Sequence, residues 1–383
     1  MKITFCMFGG LGERSIIKAF ERMGHEVSEF LDYTKNYDYN KEYTNQLIAH
    51  MEQVECDIVF SLDFMPIVSK VSKVFRKTYI SWVYDCPELH LYSDAVQNEN
   101  NRIFLFDKLQ YAELSSLAPK NIFYMPLASE PMTREPSDEE WEKYKSDICF
   151  MGSLYNEKDR RYEEIGKLPP YLKGYVDGLV NAQLNVYGYN FLADSLDEDM
   201  VKKFKNHFQW ELIEGYTCDD KMVVADMYLG AYCSAIERRR TLSNLAKHFP
   251  VAIYTDSDVS DLEGVENRGL ADSVTMMPQI FRCSKINLNI TSKTIRSGIS
   301  LRVFDVLANK GFLMTNYQPE LYDYFTPDED FVVYESQEDL IAKVEYYLTH
   351  EEERLAIAKH GYETLKTYHT YDMRLKEILD IAL

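Results

Sequence analysis

The residues best placed to do chemistry lie in residues 285–315, KINLNITSKTIRSGISLRVFDVLANKGFLMT. The order reads as an apolar strand, a polar loop with a Gly-Ile-Ser turn, an amphipathic helix and a second apolar strand. Ser300 stands where an N-cap belongs, and Gly311 stands where the residue after the last helical turn belongs. Val303, Phe304, Val306 and Leu307 give the helix a buried face. Its first turn offers backbone N–H groups and the positive end of a helix dipole, which suits a phosphate. Arg302, in that turn, is locally unfavourable unless an anion arrives, and Asp305, one turn on, needs a partner that a sugar hydroxyl could supply. The plain alternative is an ordinary βαβ unit with a solvated Arg and Asp.

Three further loops could carry chemistry. Gly10-x-Gly12-x-x-Ser15 comes close to the dinucleotide fingerprint, with Asp32 at the spacing of a ribose-binding acid. Ser at its last position departs from the pattern, and a glycine turn that lets the chain enter a helix accounts for it equally. Asp85, after the apolar run WVY, falls at a strand's carboxyl end, where ligands bind in open α/β sheets. It could take a proton from an acceptor hydroxyl, as could His90 nearby; alternatively Asp85 caps the turn before Pro87. Asp107, in FLFD, is a similar carboxylate with a weaker case. Gly152-Ser153, after DICFM, could bring backbone N–H groups toward a diphosphate from the side opposite Ser300.

The elements that must hold these residues alternate. Residues 2–8, 26–31, 57–61, 78–84, 102–106 and 122–125 read as strands, with helices at 15–23, 43–54 and 66–75. Strands separated by helices imply a parallel, doubly wound sheet. Residues 131–146 read as an acidic, proline-bearing linker with a short helix. A second strand–helix series spans 147–365, interrupted at about 157–249 by a helical insertion and continuing through a strand at 267–274. The tail from 351 is helical, and residues 366–383 could cross back to the first domain. The expectation is an α/β chain of two domains, 1–130 and 147–365, whose sheets face each other across a cleft.

Composition excludes several classes. A chain of 383 residues exceeds one typical core. Its formal charge of −20 argues against nucleic acid and against docking on anionic lipid. The basic runs at 158–161 and 238–240 read as solvated helix faces. No apolar run approaches the roughly 18 residues of a membrane span, and the N-terminus reads as a strand, not a signal peptide. The seven scattered cysteines lack CxxC spacing and the eight histidines lack an HxxxH pair. That fits reduced thiols in a cytoplasmic protein without a metal centre.

RSGISLRVFDVLANKGFLMTN resembles the nucleotide-binding segment of GT-B glycosyltransferases. WVYDCPE, FLFDK, YMPLA, DICFMGSLY, GYVDGLVNAQ and SKINLNIT, in this order, resemble the spore-maturation (CgeB-like) glycosyltransferase family. The resemblance implies a GT-B fold: two facing Rossmann-like domains, with the sugar nucleotide held mainly by the C-terminal domain and the acceptor by the N-terminal one. It implies a donor as co-substrate, UDP-linked for preference, and no obligatory metal. By position Asp305 matches the acid that holds the ribose; Ser300, Leu301 and Arg302 match the helix start at the phosphates; Gly152 and Ser153 match the opposing loop. Asn289 lies in the strand beneath, and Met276, Met277 and Pro278 fall where the base is bracketed. Gly298 sits in the turn, and Gly10 and Gly12 in the acceptor-side loop. Ser297 stands where the superfamily often has an acid that orients the donor sugar. The acceptor implied is a hydroxyl of a cell-surface, spore or flagellar saccharide or glycoprotein. A nucleotide-dependent oxidoreductase built on Gly10–Gly12, or a non-catalytic binding protein, are the other readings. Oligomeric state is not legible.

Overall fold

The structure, a computed structural model, describes residues 1–34, 36–155 and 160–383, and of residues 160 and 161 the backbone alone. Lys158 and Asp159 of the first basic run lie outside the described residues. The chain divides into two compact units: Met1–Glu130 with Leu212–Cys218 and His369–Leu383, and Pro131–Glu211 with Asp219–Tyr368.

The first unit is built on six strands: β1 (Lys2–Cys6), β2 (Glu26–Phe30), β3 (Ile58–Leu62), β4 (Thr78–Trp82), β5 (Asn101–Leu105) and β6 (Ile122–Tyr124). Their order is β2-β1-β3-β4-β5-β6, and every described pairing is parallel. Ile58, Val59 and Phe60 are buried on both faces, as β-branched and aromatic runs in a helix-covered parallel sheet must be. Phe5 and Phe20 both pack on Phe60, with ring centroids 5.2 Å apart in each case, and so fix the helix Glu13–Arg22 against the sheet.

The second unit carries β7 (Ser146–Met151), β8 (Val251–Tyr254), β9 (Val265–Asn267), β10 (Ser284–Asn289), β11 (Leu313–Asn316) and β12 (Val332–Tyr334). The order is β12-β11-β10-β7-β8-β9, again parallel throughout. The helices between β7 and β8 bury a core of their own around Ile165, Val176, Val180, Phe204, Val224 and Leu229. Residues 212–218 of this insertion pack with the first unit, where Thr217 N–H donates to Tyr92 O at 2.8 Å.

Three expectations need correction. Residues 268–274 are a loop and not strand: Gly269 has φ 78°, and Asp272 Oδ1 accepts the N–H groups of Val274 and Thr275, which turns the chain. The tail is two helices, Glu351–Tyr368 and Tyr371–Ala382, because the Thr370 side chain caps the second. Lys310, not Gly311, is the left-handed residue closing the helix Leu301–Ala308, with φ 53°. Lys310 N–H reaches Leu307 O at 3.2 Å and Gly311 N–H reaches Val306 O at 3.0 Å, the paired bonds of a Schellman end. Glycine is needed at 311 for room, since a Cβ there would lie 2.7 Å from Asn287 Nδ2 and 2.9 Å from Val306 Cγ1.

Candidate active site

In the second unit, three carboxyl-end features converge: the loop after β7, the loop after β10 and the start of the helix Leu301–Ala308. Ser300 holds the N-cap position but its hydroxyl does not cap the helix; it donates to Asn289 Oδ1 at 3.3 Å. Asn289 Nδ2 in turn donates to Thr291 Oγ1 and Thr315 Oγ1, which ties β10 to β11 below the helix mouth. Among the described residues nothing accepts from the amides of Leu301 and Arg302. These two N–H groups and the helix dipole are therefore available to an anion.

The two charged residues expected on this helix meet each other. Arg302 Nη1 lies 3.2 Å from Asp305 Oδ2 and 2.8 Å from Met277 Sδ, and its guanidinium sits 5.3 Å over the Phe281 ring. Asp305 is only 4% exposed. Burial, together with a second guanidinium at Arg238, pulls the Arg302 pKa below its ordinary value, while Asp305 opposes the shift. Met277 is the first residue of its own helix, Met277–Cys283, with Met276 at the N-cap and Pro278 in its first turn.

Arg238 is the residue sequence reasoning missed. Read as part of a solvated basic face, it instead donates to Ser153 O at 2.6 Å and to Ile290 O at 2.8 Å. It thereby clamps the chain leaving β7 to the chain leaving β10, and its charge faces the Phe150 and Tyr155 rings at 5.5 and 4.5 Å. Arg239 is buried too, paired with Asp261, and only Arg240 matches the expected solvated face. The acidic composition hid the pattern: one turn of helix holds a clamp, a buried arginine paired with an exposed aspartate, and a solvated charge. A Cβ on Gly152 would stand in ordinary contact with Arg238, 3.7 Å from Nη1. The loop spends other amides internally, Gly152 N–H on Tyr254 O and Leu154 N–H on Ser257 Oγ.

Two further cations border this edge. Lys293 pairs with buried Glu237 at 3.0 Å, and Arg296 lies 3.3 Å from Asp226, which projects from the π-helical stretch Val223–Gly230. Ser297 donates to Glu320 Oε1 at 2.5 Å, with both residues buried, and buried Gly298 follows. A carboxylate thus stands beside Ser297 in space, where the sequence lacked one, and the pair fixes the loop.

In the first unit the glycine loop is filled by the protein itself. Glu13 accepts from Phe8 N–H at 2.9 Å and Gly9 N–H at 3.2 Å, so a carboxylate holds the place a pyrophosphate would take. Burial pushes the Glu13 pKa up, partly offset by these bonds and one from Gly10. Gly12, at φ 90°, starts the helix Glu13–Arg22, and a Cβ there would meet Tyr371 Oη at 2.9 Å. The loop is a helix entry packed under the C-terminal helix. Asp107 is likewise structural: its side chain caps Lys108–Leu114 by accepting from Gln110 N–H at 2.9 Å.

At the carboxyl ends of β3 and β4 the acids cluster. Asp63, Asp85 and Glu88 place carboxylate oxygens within 4.8 Å of one another. Asp63, left-handed at φ 49°, accepts the N–H groups of Tyr84 and Asp85 through one oxygen at 2.7 and 3.0 Å. Burial, then the charges of Asp85 and Glu88, raise the Asp63 pKa well above its ordinary value. Surrounding protein and Glu88 push Asp85 up to about 6. His90 Nδ1 sits 2.5 Å from Glu88 Oε1 and Nε2 sits 3.9 Å from Asp38. Burial opposes the imidazolium, but these carboxylates outweigh it and hold the His90 pKa above normal. Tyr216 donates to Asp38 at 2.5 Å, closing the group from the insertion. His90 is thus biased to carry its proton, whereas Asp85, the most exposed of the three acids, can release one near neutrality. The three acids could ligate a cation by geometry, and the raised pKa values of Asp63 and Asp85 express the crowding of like charges there.

Comparison with known proteins follows the same lines. Residues 238–380 match the family model described as Glycosyl transferase-like. No curated protein matches the chain. Sucrose-phosphate synthase from Thermosynechococcus elongatus superimposes with a TM-score of 0.57 at 9% identity, over 100% of this chain and 98% of that one. Anabaena Alr3699/HepE in complex with UDP-glucose gives 0.57 at 9% identity, over 99% and 98%. A glycosyltransferase from Rickettsia africae ESF-5 gives 0.52 at 10% identity, over 100% and 97%. At such identities the likeness is one of fold. The two six-stranded parallel sheets are those of a GT-B fold, and residues 238–380 match a glycosyl transferase-like family model.

Proposed function

We propose that the protein moves a sugar from a UDP-linked donor to a hydroxyl of a saccharide or glycoprotein of a cell-surface, spore or flagellar glycoconjugate, as a cytoplasmic member of the CgeB-like group. The observation that carries the reading is the pair of unaccepted amides at Leu301 and Arg302, opening beside Arg238. A diphosphate supplies the acceptors those amides lack and neutralises a guanidinium pair that is otherwise repulsive.

In the proposed step the acceptor hydroxyl gives its proton to the Asp85 carboxylate while its oxygen bonds the anomeric carbon. The bond from that carbon to the diphosphate oxygen breaks, and the electron pair leaves with the nucleotide. The helix amides and Arg238 stabilise the leaving charge, so no metal is required. Asp305 and Arg302 hold each other at the height where the ribose would lie, with Met277 toward the base. Glu13 in the glycine loop disfavours the oxidoreductase alternative.

The test is release of nucleotide from UDP-, GDP- and TDP-sugars in the presence of EDTA. Slow hydrolysis of the UDP-sugar, faster with a saccharide acceptor, is expected. No turnover of any donor, with no thermal shift from any of the free nucleotides, would remove the proposal.

A further inference from the structure

The second unit holds a cavity of about 480 Å³ at the opposite, amino-terminal edge of its sheet. Its floor is the start of β7 and β10, at Ser146 and Ser284, whose hydroxyls are bonded at 3.0 Å. Six basic side chains line it, in a chain whose formal charge is −20. Arg282, Lys285, Lys310, Arg268 and Lys145 are five of them. Arg354, its side chain only 5% exposed, projects from the first turn of the helix Glu351–Tyr368 and donates to Tyr347 O at 2.7 Å. Burial holds the Arg354 pKa below its ordinary value.

The acids that answer these cations stand toward solvent. Glu351, 3.8 Å from Arg354, has a side chain 72% exposed. Glu135, half-exposed, takes both Arg282 at 2.8 Å and Lys310 at 2.5 Å. Asp147 on the wall pairs with Lys285 at 2.7 Å, Glu266 with Arg268 at 2.8 Å and Glu142 with Lys145 at 2.6 Å. Pairs of this exposure are worth little, so an incoming dianion can displace them. The apolar wall is specific as well: the Trp141 ring lies 5.3 Å from the Arg282 guanidinium, and Phe312 and Leu355 also line the cavity. A volume of this size, part apolar and ringed by cations, is that of a small-molecule site.

We propose that this cavity binds a small phosphate ester, its phosphate among Arg282, Lys285 and Arg354 and its organic part against Trp141. The site is separate from the donor site, which opens at the carboxyl ends of the same strands. It nevertheless touches the far ends of both helices that build the donor site: Arg282 ends the helix starting at Met277, and Lys310 closes the helix starting at Leu301.

Tryptophan fluorescence of the full chain reads the site, with Trp141→Phe identifying the signal among three tryptophans. The probes are glucose 6-phosphate and inorganic phosphate at matched ionic strength. Glucose 6-phosphate is expected to saturate below about 1 mM, and Arg282→Gln with Lys285→Glu to weaken it at least about tenfold while leaving UDP affinity unchanged. Both residues are surface-reaching, which avoids the folding risk of deleting Arg354. No saturable response of the wild type, an equal response of the double variant, or binding of inorganic phosphate as tight as that of the ester would overturn the proposal.

Discussion

Asp63 and Asp85 are held together by the bond that also sets their conflict. The Asp63 carboxylate accepts the Asp85 N–H at 3.0 Å, fixing the loop that carries Asp85, while a negative charge on either acid opposes ionisation of the other. The arrangement keeps a carboxylate poised to accept a proton near neutrality, which an isolated aspartate does not do.

The rate is therefore expected to fall below about pH 6, as Asp85 takes up its proton and ceases to be a base. Asp63→Asn keeps an oxygen for both N–H groups and tolerates the left-handed backbone, but removes the charge. Because Asp63 ionises after Asp85, this variant should leave the limb in place, whereas Glu88→Gln, which removes the charge that raises Asp85, should move it to lower pH. The linkage sign follows: carboxyls with raised pKa in the fold favour folding below their unfolded values and lose that contribution as pH rises through their folded ones, about 6 for Asp85 and well above the ordinary value for Asp63. Asp63→Asn should therefore raise the melting temperature at pH 8. A limb that stays put in Glu88→Gln would remove Asp85 as the base.

Asp85→Asn should lower kcat by about 10²–10⁴ and leave UDP affinity unchanged, since proton transfer is the step it serves. Titration calorimetry beside a transfer assay separates the two. His90→Gln should cost less, because Glu88 already biases the ring toward its protonated form.

Arg238→Lys keeps the charge but not the fork that spans Ser153 O and Ile290 O. UDP binding should weaken by about 10- to 100-fold, the range of one charge-assisted bond, while keeping its dependence on salt. An unchanged dissociation constant would take Arg238 out of the donor site.

Gly311→Ala tests the other end of the same helix. The added methyl meets Asn287 Nδ2 and Val306, and Phe281 O lies at 3.1 Å. Urea unfolding should show a loss of about 1–3 kcal/mol. Lys310→Gly should instead be neutral or stabilising, because it relieves a left-handed lysine.

The doubly wound character of both halves, and the helix Leu301–Ala308 with its buried face, were legible because strand and helix periods are local signals. The three-residue strand Val332–Tyr334 was not, since it spans too few residues to show a period. Arg238 and Glu320 were illegible for a different reason. Their partners lie 85 and 23 residues away, at Ser153 and Ser297, and only the closed chain brings them together. At the Gly10–Gly12 loop the plainer of the two readings, a glycine turn into a helix, is the one the structure shows. Its glycines suit a diphosphate, but the acid three residues past Gly10 is the one that fills it.

The central claim is that the start of the helix Leu301–Ala308 receives a diphosphate. A crystal of the protein soaked with UDP-glucose tests it most directly. The account predicts phosphate oxygens within hydrogen-bonding distance of the Leu301 and Arg302 amides, with Arg238 alongside. A fully occupied nucleotide elsewhere, with those two amides still unaccepted, would contradict it.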